Sequence, residues 1–170
     1  KPMFTLILFA AALVVAIADV RGFGETKSPR NVREAGVDYF DPRDGMDADF
    51  TYASFFLGRP LLGMRVWDAL HVAAYLRARP EVDPKRIGVA GQGWASVIAM
   101  FAAAVDSRLA WAACVGPPAS YGEIARSELY AQPVSLMLPG ALQDFDLPDV
   151  LASLAPRALL VVNPTDAVVR

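Results

Sequence analysis

The chain has 170 residues, the length of one domain, and that is enough to bury a real core. A net charge of −2 and a pI near 5.3 leave no basic footprint, which argues against nucleic acid or an anionic membrane surface as partner. The hydrophobic share of 55% is high, as expected when a parallel sheet is covered on both faces. One cysteine, Cys114, lies in the apolar run Leu109 to Val115 and reads as a buried thiol, so there is no disulfide framework and the compartment stays open.

Met3 to Ala18 carries no charge, glycine or proline. Three readings compete. A signal peptide would use Ala16-Ile17-Ala18 as its cleavage site, but no strong basic region precedes the run. A membrane span would need a slightly longer one. The third reading is a buried helix that enters a core strand, roughly Leu13 to Val20, and ends at Asp19-Val20-Arg21-Gly22. Arg21 to Gly58 is polar and glycine-rich, with Asp38, Asp41, Asp44, Asp47 and Asp49. Clustered carboxylates suit a divalent cation. Their spacing misses the EF-hand frame and its bidentate glutamate, so the stretch reads as a solvated loop.

Pro60 opens a helix placed over Leu61 to Arg79, in which Leu62, Val66, Leu70, Ala73 and Leu76 form one apolar stripe. Arg65 and Asp68, three apart, are set to pair on its flank. His71, the only histidine, falls in mid-helix and reads as a surface or packed residue.

Arg86 to Val105 is the segment around which the rest is arranged. A strand over 86–90 runs into Gly91-Gln92-Gly93-Trp94-Ala95, and Trp94 to Val105, too long and alanine-rich for a strand, is a helix. Glycines at i and i+2 with a small residue at i+4 let a chain pass from strand to helix within very few residues. Two chemistries use such a turn: a nucleophile raised on a strained elbow, or a phosphate resting on the helix N-terminus. Gly91-x-Gly93-x-x-Ser96 approximates the dinucleotide fingerprint, but the acid expected about 20 residues on is missing, because the next strand ends in Val115-Gly116-Pro117. A Walker loop fails too, since no Gly-Lys-Ser/Thr follows.

Asp106-Ser107-Arg108 is a turn and Leu109 to Val115 a strand, stopped by Gly116-Pro117-Pro118. Ser120 to Gly140 is irregular, with a short helix around Tyr121 to Leu129. Its tyrosines, Tyr121 and Tyr130, either line a pocket or pack this stretch onto the sheet. Leu147 to Leu154 is a helix with Asp146 as N-cap and Pro148 in its first turn. Ala158 to Val162 is the last strand, with Asp166 just beyond it. Strands near 13–20, 86–90, 109–115 and 158–162 alternate with helices, which predicts an α/β fold with a doubly wound, mostly parallel sheet. Sites on such sheets lie beyond the strand C-termini, where Arg21, Gly93, Gly116 and Asp166 fall.

Gly91 to Ala95 resembles the small-x-nucleophile-x-small elbow of the α/β-hydrolase superfamily, with Gly93 where the serine belongs. Val82-Asp83-Pro84-Lys85-Arg86-Ile87-Gly88-Val89 is similar to the run before the elbow in acetyl xylan esterase and dienelactone hydrolase relatives. Asp19 to Thr26 resembles their Asp-x-Arg-Gly-x-Gly loop, and Ala155 to Asp166 the strand and loop that carry the triad acid. The ordered matches run from about Ala12 to Asp166. The resemblance implies one partial α/β-hydrolase-like domain over 1–170, cut at both ends, with a cap-like insertion about 117–147. It favours the helix-into-strand reading of Met3 to Val20. By position it makes Asp166 the triad acid and the Trp94 N–H an oxyanion donor, with Arg21, Gln92, Tyr121 and Tyr130 around a substrate pocket. A small ester or carbohydrate is the implied ligand, with no cofactor and no metal.

The departures decide the expected activity. Gly93 offers no nucleophile, and Ser96, in the first helical turn, should point along the helix. The histidine of the family sits in a loop after the final strand, which this chain does not reach. Serine ester hydrolysis needs a hydroxyl, a histidine and an acid together, so the chain is expected to be inactive by that mechanism. On this reading the fold serves either as part of an ester hydrolase whose nucleophile is lost, or as a non-catalytic module that binds a ligand or partner.

Overall fold

Three short parallel strands form the centre: β1 (Val89–Gln92), β2 (Trp111–Val115) and β3 (Ala158–Val162), in the order β1-β2-β3. Val89 stands opposite Ala112, and Ala112 opposite Leu159. The computed structural model describes residues 13–27 and 45–168. Among the described residues five α-helices accompany the strands: α1 (Met46–Phe56), α2 (Leu61–Arg77), α3 (Trp94–Val105), α4 (Tyr121–Arg126) and α5 (Leu147–Ala152).

The alanine-rich sequence of α3 explains its central place. Small side chains at Ala99, Ala102 and Ala103 let the helix lie close on β1 and β2, and its own Val97 and Met100 are fully buried. Side chains alternate across a strand, so Ala112 and Cys114 point to this face and are buried. Cys114 is the expected core thiol, and burial raises its pKa. Ala90, Gln92, Trp111 and Leu160 point to the other face and are exposed. α2 packs on α3, and α1 on α2.

The turn from α3 into β2 is held by Asp106. Arg108 donates to its carboxylate at 2.8 Å and Arg77 at 2.7 Å, while Arg157 donates to its backbone carbonyl at 3.2 Å. Arg108 and then Arg77 hold this carboxyl down at about 2, against the opposing effect of burial. At the far end Asp146 is the predicted N-cap of α5, with Asp149 completing a capping box. Its carboxylate also accepts from Ser120 Oγ and from the N–H groups of Tyr121 and Gly122, which ties the start of α4 to the start of α5.

Four expectations change. Leu13 to Val20 is neither strand nor buried: Leu13 is 53% and Ile17 80% exposed, and the stretch makes no ladder with β1 among the described residues. Apolar content alone cannot supply the neighbouring strand that a ladder needs. Residues 1–12 of the helix-into-strand reading lie outside the described residues, as do Asp38, Asp41 and Asp44. Among the described residues no helix is long and apolar enough to cross a membrane.

The second change is α1, which occupies ground expected to be loop. Asp47 and Asp49 stand in its first turn, where they complement the helix dipole. Third, Asp47 is not solvated; it is buried and paired with Arg65 of α2. Fourth, Arg65 and Asp68 do not pair with each other. Arg65 is 1% exposed, bonds Asp47, donates Nε to the Arg21 carbonyl at 3.0 Å and stacks over the Phe23 ring, while Asp68 takes Arg21. Helical spacing puts both on neighbouring positions, but long-range partners won each.

α3 and β3 keep their expected bounds, and the ends of the other expected elements that differ do so by two or three residues. β1 begins later than expected, although Ala110 already donates to Ile87 O at 2.7 Å. A Cβ on Gly88 would fall 2.0 Å from the Trp111 ring, so the chain there passes directly under the indole.

Candidate active site

β1 becomes α3 at a single residue. Gly93 has φ 57° and ψ −123°, a conformation that L side chains rarely adopt. Both of its backbone polar groups are engaged. Its N–H donates to Val115 O at 2.8 Å, and its carbonyl accepts from Ser96 N at 3.1 Å and from Ser96 Oγ. A Cβ built on Gly93 meets nothing within 4 Å. The elbow is therefore held firmly and points into open space, with no side chain on it.

Gly91 is glycine for the opposite reason. A Cβ there would stand 2.1 Å from Ala95 O, so any side chain would push α3 off the strand. Gly116, at the end of β2, has φ 63° and comes near Gly93: its Cβ would lie 4.0 Å from Gly93 N. The C-terminal ends of β1 and β2 thus meet at two bare backbone positions.

Each residue singled out in the sequence has a definite place. Gln92 ends β1 and is exposed, and Trp94, half-buried, opens α3, so its N–H belongs to the first helical turn. Ser96 has no exposure, and its hydroxyl bonds back to the elbow carbonyl. Asp166 is exposed in the loop after β3. That loop is stitched to the one after β2, Thr165 N donating to Pro117 O and Ala119 N to Thr165 O, both at 2.8 Å. Asp166 therefore lies at the same end of the sheet as Gly93 and Gly116. Arg21 is committed to α2: its Nε donates to Asp68 Oδ2 at 2.8 Å and its backbone N–H to the same oxygen at 3.1 Å. These bonds hold the Asp68 carboxyl below its usual range. Tyr121 is buried, with its hydroxyl donating to Leu136 O, and burial pushes its phenol upward. Tyr130 is exposed. His71 lies on the outer face of α2, with Nδ1 2.8 Å from Trp67 O and its ring against the Trp67 indole.

Of the groups a serine mechanism needs, an acid stands beyond β3. No hydroxyl stands on the elbow, and the chain's only histidine is on α2. Sequence reasoning missed the role of Ser96 as a clamp on the elbow carbonyl. A serine three positions into a helix is the signal that could have pointed to it. It also missed the Asp47–Arg65 pair, which no local pattern marks. Among the described residues no group of three His, Cys, Asp or Glu could hold a metal ion. An apolar cavity of about 250 Å³ runs beside the outer edge of β1, with Ala16, Val20 and Phe23 among its wall residues and Val89, Ala95 and Ile98 across from them.

No protein-family model matches the chain. A Bacillus subtilis protein named as a hydrolase, YtaP, is 29% identical over 69 residues, which cover 41% of this chain and 23% of that protein. A solved structure from Bacteroides fragilis, assigned as an acetyl xylan esterase, superposes with a TM-score of 0.60 at 16% identity, over 84% of this chain and 38% of that one. A glucuronoyl esterase from Solibacter usitatus aligns at 25% identity with a TM-score of 0.45, over 59% of this chain and 29% of that one. The chain thus spans between about a quarter and two fifths of the length of these relatives. The parallel sheet, its flanking helices and the superposition on the Bacteroides structure define an α/β-hydrolase-like fold.

Proposed function

We propose that this chain is an acetyl xylan esterase-like member of the carboxylic ester hydrolases in fold, and that it does not hydrolyse esters by a serine mechanism. The observation that carries the reading is the bare elbow: Gly93 joins β1 to α3 at φ 57° and ψ −123°, faces open space and carries no side chain. Backbone donors in the first turn of α3, Trp94 N–H by position, are the part of an oxyanion site that survives such a change. Losing one member of a nucleophile–base–acid unit lowers turnover by orders of magnitude, and here the elbow residue carries no hydroxyl.

The open space over Gly93 favours a second reading, in which the fold is kept to bind a small ester or carbohydrate, with Asp166, Gln92 and Tyr130 at the rim. Hydrolysis of p-nitrophenyl acetate tests the first claim, with Gly93→Ala and Ser96→Ala variants beside the parent chain. No turnover above background in any of the three is expected. Turnover by the parent that disappears only in Ser96→Ala would move the nucleophile to Ser96 and overturn the reading. Calorimetric titration with an acetylated xylo-oligosaccharide tests the second.

A further inference from the structure

We draw no further inference here: the strongest candidate, the apolar slot between the outer edge of β1 and the extended stretch Ala16 to Val20, is an unpaired strand edge for which nothing in the structure shows what covers it.

Discussion

Gly91 and Gly93 sit two positions apart and respond differently to the same substitution. Alanine at 93 has room but must accept a positive φ, at a cost of about 1–3 kcal/mol. Alanine at 91 has an ordinary φ but collides with the Ala95 carbonyl, and relief requires α3 to shift on the sheet. Gly91→Ala is therefore expected to lower the melting temperature more than Gly93→Ala. Equal losses would mean that the strand–helix contact is softer than the 2.1 Å approach implies. Asp47 and Arg65 set a second contrast. Both are buried, and among the described residues Asp47 Oδ2 and Arg65 Nη1 have no hydrogen-bond partner. Removing one partner strands a buried charge, and Asp47→Ala should cost about 3–5 kcal/mol. A double replacement by apolar residues should cost less than that single change, as measured by urea unfolding. An additive double mutant would show that the two side chains do not act as a pair.

Among the elements, the turn from α3 into β2 carries the clearest pH dependence. Folding depresses the Asp106 carboxyl from its ordinary 3.8 to about 2. Its contribution is complete above about pH 4 and is lost as pH falls through about 2. Asp106→Asn should lower stability at neutral pH by about 1–2 kcal/mol, and the gap from the parent should close between about pH 4 and 2. A gap that stays constant over that range would assign the loss to packing rather than charge. How much of these elements is legible beforehand depends on how local their causes are. α2 and α3 follow from apolar periodicity and alanine content, and Asp146 follows from capping chemistry with Pro148 behind it. α1 does not, because its apolar positions sit among aspartates whose partners lie elsewhere; Arg65, 18 residues away in sequence, is what buries Asp47. The elbow is legible because its cause is local too: a strand and a helix this close leave room only for glycine at position 91.

For the whole molecule, the exposed stretch Leu13 to Asp19 is the main liability. It is apolar apart from Asp19 and has no regular secondary structure, it has no strand partner among the described residues, and Ile17 is 80% exposed. Beside it the outer edge of β1 has no strand partner among the described residues, and unpaired edges pair with other chains. The isolated chain should self-associate with rising concentration, and Ile17→Lys should reduce this in light scattering without lowering helix content. Association that Ile17→Lys leaves unchanged would point instead to the open face of the sheet around Trp111 and Leu160.

The sequence by itself determined the parallel α/β order, the strand–turn–helix at Gly91 to Ala95, the glycine at its centre and the Asp146 cap. Each of these depends on residues within a few positions of one another, where sterics, periodicity and local hydrogen bonds act. Only the tertiary structure decided that Arg21 pairs with Asp68, that Arg65 buries Asp47, that Ser96 clamps the elbow, and that Leu13 to Val20 lies outside the sheet. Those outcomes depend on which groups the fold brings within hydrogen-bond reach across tens of residues, and on whether a neighbouring strand is present to complete a ladder.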